Sequence, residues 1–395
     1  MSRPPYQIPS MQDVAGTPWN GFTVVSTFSG CGGSCLGYRM AGFKVAWASE
    51  FIPAAAEAYR ANAPTTILDT RDIRKVEPED ILRATGKQVG EIDLFDGSPP
   101  CASFSSAGSR SAGWGKVKKY SDTSQRTDDL FFEYVRLLRG LKPKCFVAEN
   151  VAGLVRGVAK GYFLEILKAL KDSGYRVTAR VLDAQWLGVP QSRQRLIFVG
   201  VRDDLGLAPV HPKPLAYNYT IRDALPGIGR VTANRLTCKA GPGAGTIVKI
   251  NTNAPVPTIT ANGVANDVKY DWLIEPEADI TRFAIGREWE KMGRPGTQSD
   301  KYFQLVRPKI DAACPTITAE AGNPGAAGVT HPTERRKFSI AELKLLSGFP
   351  ADFQLPNNSY TQQWERIGRA VPPVMMSHIA GAIRDNILMM IGGTT

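Results

Sequence analysis

The chain has 395 residues, of which 43% are hydrophobic and 22% are charged. This composition supplies enough apolar surface for a large domain and a smaller one, and it excludes a disordered chain, a collagen and a small disulfide scaffold. Forty-eight basic residues against 37 acidic ones give a formal net charge of +11, which is compatible with a polyanionic partner.

The first half of the chain has the pattern of an α/β protein. From residue 22 to residue 202, short β-branched runs alternate with helical patterns, which is typical of a doubly wound sheet. The candidate strands are 22–28, 43–49, 92–96, 145–148, 176–182 and 195–201. Between them we predict a helix at 128–141, with Thr127 as its N-cap, and a second helix at 162–173 that stops at Gly174. We assign these elements to one domain, residues 1–205.

The pattern changes after residue 205, where Pro, Gly, Asn and Thr become frequent. We predict a separate, irregular, mostly β domain over residues 206–335. Within it, PVPTITANG at 255–263 is echoed by ACPTITAEAG at 313–322, although two copies are too few for a solenoid. Helical periodicity returns after residue 335, so residues 336–395 are expected to rejoin the first domain and leave the middle as an insertion.

Cysteine and histidine usage bears on the compartment and on metals. The six cysteines lack a paired metal-binding spacing and the three histidines lie far apart, so we expect a reduced, intracellular protein without a metal site. The first residues contain no apolar run, which argues against a signal peptide. The most apolar late segment, 374–391, is interrupted by Arg384 and Asp385, and this predicts a buried or amphipathic helix and no membrane span.

A glycine-rich turn follows the first strand. Residues 28–33 read FSGCGG, and the second strand ends at Glu50. Glycines at the carboxyl end of a strand let a ligand approach the backbone, and an acid after the second strand suits a ribose diol. Cys35 occupies the place of the third glycine of a dinucleotide fingerprint, which favours an adenosine without phosphates, such as S-adenosylmethionine. The alternative is a tight turn whose glycines serve packing, with Cys31 and Cys35 as buried fillers.

A cysteine follows two prolines after the strand at 92–96, in the sequence GSPPC at 97–101. The prolines stiffen the backbone where such a sheet presents its ligands, so Cys101 is a candidate nucleophile. The usual pKa of a cysteine thiol is about 8.5, so a nearby positive charge is needed to form the thiolate at neutral pH. Residues 102–126 contain one acid and five basic residues, Arg110, Lys116, Lys118, Lys119 and Arg126. They predict a lid that closes on a phosphate backbone; a structural cysteine and a solvated loop are the alternatives.

Taken together, these segments resemble the DNA (cytosine-5)-methyltransferase family. FSGCGG is similar to the family's cofactor loop, PPC at 99–101 to its nucleophile motif, ENV at 149–151 to its Glu-Asn-Val motif and QSRQR at 191–195 to its Gln-x-Arg-x-Arg motif. All four occur in the family's order. Further similar segments are DDLFF at 128–132, HPTER at 331–335, LLSGFP at 345–350 and GRAVPP at 368–373.

The resemblance runs from about residue 22 to the end and implies a fold. That fold is a Rossmann-like, S-adenosylmethionine-dependent methyltransferase fold, α/β in class, with a doubly wound, mostly parallel sheet. Residues 1–205 would be its catalytic and cofactor-binding domain, residues 206–335 an inserted, smaller, mostly β target-recognition domain, and residues 336–395 the return to the catalytic domain.

The resemblance also implies an activity: transfer of a methyl group from S-adenosylmethionine to carbon 5 of a flipped-out cytosine in a specific duplex DNA sequence. Cys101 would attack carbon 6, and Glu149 would protonate or hydrogen-bond ring nitrogen 3. Arg193 and Arg195 would supply fixed positive charge near the cytosine carbonyl and the thiolate. For both arginines a surface or phosphate-binding role stays open, more so for Arg195.

Cofactor-binding residues follow from the same resemblance. Phe28 would pack on the adenine, and Glu50 would bind the ribose hydroxyls. Residues 72–73 would lie beside the adenine edge, and Pro100 and Leu130 would line the methionine side. The full set is Phe28, Ser29, Gly30, Cys31, Gly32, Gly33, Glu50, Phe51, Asp72, Ile73, Pro100, Leu130, Arg369 and Ala370.

Two residues of this set have a simpler interpretation, and two positions depart from the family. Ile73 and Leu130 could belong to the core. Arg369 stands where the family usually has Asn or Ser, which puts the contact with the methionine end of the cofactor in doubt. Ala102 replaces the polar residue that often follows the nucleophile.

The expected partners are duplex DNA and S-adenosylmethionine, without a metal or a membrane. We expect a monomer, paired functionally with a restriction nuclease in a restriction-modification system, in the cytoplasm of a bacterial cell or a phage-infected host. The alternatives are an RNA-directed cytosine-5 methyltransferase and a catalytically silent DNA-binding regulator. The recognition sequence is not deducible, because base readout depends on geometry.

Overall fold

The structure is a computed structural model that describes residues 3–100, 130–156, 159–228 and 275–392, together with the backbone of two short strands at 118–119 and 124–125. Several predicted features lie outside the described residues. They are the nucleophile Cys101, the first PVPTITANG copy at 255–263, the lid residues Arg110, Lys116 and Arg126, and the side chains of Lys118 and Lys119.

A central sheet organises the described part of the chain. Its strands are β1 (Thr23–Thr27), β2 (Lys44–Ser49), β3 (Ile67–Asp69), β4 (Leu94–Gly97), β7 (Cys145–Val151), β8 (Tyr175–Asp183) and β9 (Gln194–Arg202). Two further strands, β5 (Lys118–Lys119) and β6 (Ser124–Gln125), pair only with each other in the described ranges. The central order is β3-β2-β1-β4-β7-β9-β8. All six predicted strands are present, and β3 is an addition.

The strand directions confirm a mostly parallel sheet. Strands β3, β2, β1, β4 and β7 are parallel neighbours, whereas β9 runs antiparallel to both β7 and β8. The carboxyl ends of β1, β2, β4 and β7 therefore meet the amino end of β9 at one edge of the sheet. We call this the carboxyl edge, and ligands of such sheets bind there.

Alternate residues of the central strands enter two different cores. Val24 and Leu94 pack on one face, while Val25 and Phe95 pack on the other. Period-two alternation sends successive side chains to opposite faces, and helices cover both, so these strands are apolar throughout.

Helices complete the fold. They are α1 (Met11–Ala15), α2 (Gly33–Met40), α3 (Pro53–Asn62), α4 (Pro78–Thr85), α5 (Leu130–Leu141), α6 (Lys160–Lys171), α7 (Ile221–Ala224), α8 (Ala284–Lys291), α9 (Ile340–Leu346), α10 (Tyr360–Arg369), α11 (Pro373–Ile383) and α12 (Met389–Gly392). A π-helical turn, Arg384–Leu388, joins α11 to α12. None of the helices in the described ranges is long and apolar enough to cross a membrane.

Residues of the last part of the chain, in α11, pack closely on the first domain. A Cβ on Gly37 of α2 would lie 2.5 Å from the Pro373 carbonyl oxygen, so α2 and α11 are in direct backbone contact. Helix α9 begins with a capping box between Ser339 and Glu342, and α10 begins with one between Ser359 and Gln362.

The middle segment shares a core with both flanking parts. One buried cluster contains Leu36, Ile221, Ile317, Phe338 and Trp364, which come from all three predicted domains. The described residues of the middle segment include α7, α8 and two paired strands, β10 (Thr297–Gln298) and β11 (Val306–Arg307). The boundaries at 205/206 and 335/336 stay predictions, as does the mostly β character of the whole segment.

Candidate active site

The glycine-rich turn leaves β1 at the carboxyl edge through left-handed backbone. Phe28 has φ +54°, Gly30 +57° and Gly32 +96°. Glycine adopts this region freely, but a bulky residue such as Phe28 does so at a cost of about 1–2 kcal/mol. Strain of this kind clusters at functional sites, and here it places the half-buried Phe28 at the entrance of the turn.

The glycines of the turn have different roles. A Cβ on Gly33 would lie 2.3 Å from the Val371 carbonyl oxygen and 3.1 Å from Ala370 Cβ, so Gly33 is required for packing against the last part of the chain. A Cβ on Gly30 would find no atom of the described residues within 4 Å. Cys31 is 2% exposed, and burial raises the pKa of its thiol to about 12. Any contact of Cys31 with a ligand would therefore be through its backbone.

Glu50 lies beside this turn at the end of β2. Its carboxylate accepts hydrogen bonds from the backbone amides of Gly30 (2.8 Å) and Ile52 (2.7 Å), and the residue is 7% exposed. Two backbone donors fix the orientation of the carboxylate. Phe51, the next residue along, is exposed.

The expected adenine-edge residues follow β3. Asp72 accepts a hydrogen bond from the Arg74 amide, caps a short 3-10 turn (Ile73–Lys75) and pairs with the Arg74 side chain. Ile73 is 5% exposed and belongs to the core. Leu130, expected on the methionine side, is also a core residue, at 1% exposed. Both side chains therefore pack in the core, and their contacts with the cofactor stay predictions.

The segment before Cys101, the predicted nucleophile, is held on both sides. Ser98 donates its amide to the Thr27 carbonyl of β1 (3.3 Å), and Asn150 of β7 donates its side-chain amide to the Pro99 carbonyl (3.3 Å). Pro100 is partly exposed. Residues 98–100 thus lie at the carboxyl edge, between β1 and β7.

Glu149 and Arg195 form an ion pair at this edge. Arg195 Nε lies 2.7 Å from Glu149 Oε1, with side-chain exposures of 13% and 11%. In the antiparallel pairing of β7 and β9, Arg195 is opposite Val151, so it shares a sheet face with Glu149 two residues away. Burial raises the pKa of Glu149, and the charges of Arg195 and then Arg193 oppose this shift.

Arg193 has a different environment. It is 2% exposed, and its guanidinium donates to three backbone carbonyls: Nη1 to Ile317 (3.0 Å), and Nη2 to Gly368 (2.7 Å) and Ala370 (2.9 Å). Burial lowers its pKa well below the usual value, and the charge of Arg195 adds to this effect. Arg195, and not Arg193, therefore forms the ion pair with Glu149, and the catalytic roles expected of both arginines stay predictions.

The model of the C-5 cytosine-specific DNA methylase family matches residues 22–385. The chain belongs to this family. This methylase is therefore an enzyme that methylates cytosine in DNA and uses S-adenosylmethionine as the methyl donor.

Relatives of this methylase match it over most of their length. The type II methyltransferase M.NgoPII of Neisseria gonorrhoeae is 28% identical over 382 residues, which are 95% of this chain and 99% of the relative. The type II methyltransferase M.Sau96I of Staphylococcus aureus is 30% identical, and the match covers 96% of this chain and 79% of the relative.

Solved structures share the fold of the methylase at lower identity. A protein described as a DNA modification methyltransferase of an E. coli prophage has a TM-score of 0.65 and 20% identity, and the match covers 93% of this chain and all of that one. A DNMT2 variant of Spodoptera frugiperda has a TM-score of 0.58 and 16% identity, over 94% and 99%.

The residues of the methylase fit an adenosine-containing donor. An aromatic ring at Phe28, open space above Gly30 and the oriented carboxylate of Glu50 meet at the carboxyl ends of β1 and β2. An adenosine needs an apolar surface for its base, room for close approach to the backbone and an acceptor for its ribose hydroxyls, and these three features would supply them in that order. Within the described residues, no group of three or more His, Cys, Asp or Glu side chains could hold a metal ion.

Arg369 is the last residue of α10 and precedes Ala370, which contacts the glycine-rich turn. Its Nη2 lies 2.9 Å from Glu365 Oε1, one helical turn earlier, and its side chain is 42% exposed. Ala370 contacts the position above Gly33. The departure from the family at Arg369 is thus accompanied by a carboxylate partner on the same helix.

Sequence reasoning missed one buried acid under the site. Asp96 of β4 is 1% exposed and accepts hydrogen bonds from Ser26 Oγ (2.8 Å) and Tyr38 Oη (3.0 Å). Ser26 Oγ in turn accepts from Ser29 Oγ in the glycine-rich turn (3.0 Å). Burial raises the pKa of Asp96 to about 7. The signal that could have revealed it is an acid directly after the apolar pair Leu94-Phe95, at the carboxyl end of the predicted strand.

Proposed function

We propose that this methylase modifies carbon 5 of a cytosine flipped out of duplex DNA at a fixed recognition sequence, with Cys101 as nucleophile. The observation that supports this proposal is the buried Glu149–Arg195 pair at the edge where the Pro-Pro-Cys segment leaves β4. An acid that holds a proton and a fixed cation next to a positioned thiol are what addition to a pyrimidine requires.

The glycine-rich turn and its neighbours would hold the donor: Phe28, the backbone of 29–33, Glu50, Phe51, Asp72, Pro100, Arg369 and Ala370. When bound, S-adenosylmethionine supplies a methyl group on a sulfonium sulfur, which is transferred to carbon 5 and leaves the thioether behind. Arg369 would offer its charge to the carboxylate at the methionine end, in competition with Glu365.

Cys101 would act as its thiolate. The sulfur adds to carbon 6 of the cytosine, and the carbon 5–carbon 6 π electrons form a carbon 4–carbon 5 double bond. The carbon 4–nitrogen 3 π electrons move to nitrogen 3, which takes a proton from Glu149. Carbon 5 becomes nucleophilic and accepts the methyl group. Loss of the carbon 5 proton to water, return of the nitrogen 3 proton to Glu149 and cleavage of the sulfur–carbon 6 bond then restore the aromatic ring and the thiolate.

Glu149 has the environment of such a proton donor. Burial raises the pKa of Glu149, which favours uptake of a proton, whereas Arg195 stabilises the carboxylate that remains after proton transfer. A positioned general acid contributes roughly 10²–10⁴-fold to a rate. Arg195 would also offset the negative charge that develops on the base when the thiolate adds.

DNA binding would use two segments that lie largely outside the described residues. The basic residues of 102–126 would close on the phosphates around the extruded base, and the segment 206–335 would read the sequence. Extrusion costs a few kcal/mol that these contacts must offset. We further propose that the enzyme acts as a monomer in the cytoplasm and is paired with a restriction nuclease.

The test combines bisulfite sequencing with one variant. Bisulfite sequencing of DNA from cells that express the wild type should reveal 5-methylcytosine at one position of one short sequence. Cys101→Ser should fold, bind the donor and transfer no methyl group. Methyl transfer by Cys101→Ser would exclude the covalent mechanism. Labelled methyl incorporated into transfer RNA and not into duplex DNA would exclude the DNA substrate.

A further inference from the structure

The loop before β9 is the meeting point of three parts of the chain. Its residues 190–193 contact residues 314–317, which belong to the repeat ACPTITAEAG at 313–322 (the second PTIT copy). They also contact residues 368–370 at the end of α10. We call these three stretches the junction.

The middle segment is held to this loop by several hydrogen bonds. Cys314 donates its amide to the Pro190 carbonyl (2.9 Å) and accepts from the Ser192 amide (2.8 Å). Thr316 Oγ1 donates to the Ser192 carbonyl (2.6 Å). The second PTIT copy thus lies along the loop like an added strand, and Arg193 extends the contact through the Ile317 carbonyl.

The other side of the junction adjoins the cofactor turn. Arg193 binds the carbonyls of Gly368 and Ala370, and the following stretch, 370–371, lies directly against Gly33. Gly368 itself packs on the middle segment, since a Cβ there would lie 2.9 Å from Ala319 Cα. One guanidinium therefore connects the middle segment to the wall of the glycine-rich turn.

We propose that Arg193 is a positioning residue that couples DNA binding to cofactor binding. The inference rests on the proposed function, in which the middle segment binds DNA and the glycine-rich turn binds S-adenosylmethionine. A shift of 314–317 when DNA binds pulls on the carbonyls of 368 and 370 through Arg193. A planar guanidinium reaches three carbonyls at fixed angles, and a lysine ammonium, as a point donor, does not. Arg195, two residues later, carries the chemistry instead.

Coupling between two ligands is reciprocal and is measured as a ratio of dissociation constants. We would measure the Kd of S-adenosylhomocysteine by calorimetry with and without a duplex containing the methylated sequence. In the wild type, the duplex should tighten this ligand by a factor within the common range of about 5–150. In Arg193→Lys the factor should approach one, and KM for both substrates should rise.

Arg195→Lys is the matched control, because it removes the pairing geometry with Glu149 and leaves the junction intact. It should lose kcat and keep the coupling factor. Should Arg193→Lys fail to fold by circular dichroism, Thr316→Val takes its place, since it removes one junction hydrogen bond from an exposed residue. It should lower the coupling factor in the same direction.

Retention of the full coupling factor by the folded Arg193→Lys enzyme would overturn the inference, as would loss of kcat with unchanged KM values, which indicates direct action on the cytosine. Failure of the proposed function is distinguishable, because the wild type would then methylate no duplex in the same preparation.

Discussion

Arg195 Nε and Glu149 Oε1 lie 2.7 Å apart on one face of the antiparallel pair β7–β9, and both side chains are nearly buried. Each group sets the ionisation of the other. Burial raises the pKa of the carboxyl and lowers that of the guanidinium, while their mutual attraction opposes both shifts. The pair is therefore suited to a carboxyl that gives up a proton and takes it back.

Removal of the cation should change the pH dependence of catalysis. In Arg195→Gln, the charge that lowers the pKa of Glu149 is lost while the burial that raises it remains. The pKa of Glu149 therefore rises further, and the carboxyl keeps its proton to higher pH. The basic limb of the pH–rate profile that reports Glu149 should shift upward, while the maximum rate falls because the fixed charge is lost. Single-turnover methyl transfer to a duplex between pH 6 and pH 9 measures both effects. Glu149→Gln is the control: it should lose the limb and about 10²–10⁴-fold in rate. An unshifted limb in Arg195→Gln would exclude the proposed coupling of the pair.

Asp96 should make the fold less stable as the pH rises. Its pKa is raised from 3.8 to about 7 in the folded chain, so the native state binds a proton that the unfolded state releases. Its contribution to stability is complete below about pH 4 and is lost as the pH rises through about 7. Asp96→Asn cannot titrate and should not show this loss. Thermal unfolding of both proteins from pH 5 to pH 8 should give melting temperatures whose difference changes with pH. Parallel curves would show that Asp96 does not titrate in this window.

Gly33 should tolerate no side chain. In Gly33→Ala the added Cβ would meet the Val371 carbonyl oxygen at 2.3 Å, which forces the backbone at 370–371 away from the turn. Overpacking of this kind costs about 1–3 kcal/mol, and we expect weaker binding of S-adenosylhomocysteine as well. Gly161→Ala in α6 is the matched control, since a Cβ there has no described atom within 4 Å. It should be neutral or stabilise by roughly 0.5–1 kcal/mol. Urea unfolding and calorimetry check both; equal behaviour of the two variants would contradict the packing argument.

Arg369 should matter only for ligands with a carboxylate. Its side chain is partly exposed and shared with Glu365, so its contribution should be that of a surface ion pair, about two- to five-fold in Kd. Arg369→Asn, which installs the residue usual in the family, should weaken S-adenosylhomocysteine by this factor and leave 5′-methylthioadenosine, which lacks the amino-acid end, unaffected. Equal losses for the two ligands would assign Arg369 a structural role instead.

Much of the fold could be predicted because the central strands have a plain sequence signal. They are apolar and β-branched because both sheet faces are covered, and this pattern predicts β1, β4, β7 and β9 from the sequence. Strand β3 has only three residues, too few for a period. Helix α2 contains two glycines and was missed because tertiary contact with α11, not helix propensity, stabilises it.

The site could be predicted in part. Glu50 follows β2 and Glu149 lies in the last part of β7, and parallel strands bring their carboxyl ends to one edge, so sequence position alone predicted where both would lie. The roles of Arg193 and Arg195 could not be separated in this way. Which arginine meets Glu149 depends on the register of β9 against β7, and the three carbonyls that receive Arg193 come from residues 124 to 177 positions away.

The junction bears on how such enzymes could be re-engineered for new recognition sequences. An exchange of the whole stretch 206–335 would replace residues 314–317, including the Thr316 hydroxyl that donates to the Ser192 carbonyl, and would change how this stretch packs on the loop at 190–193. A chimera whose second boundary lies before residue 313 would carry foreign recognition loops and keep the native junction. Transplanted specificity would then depend less on the donor sequence than on where the cut is made.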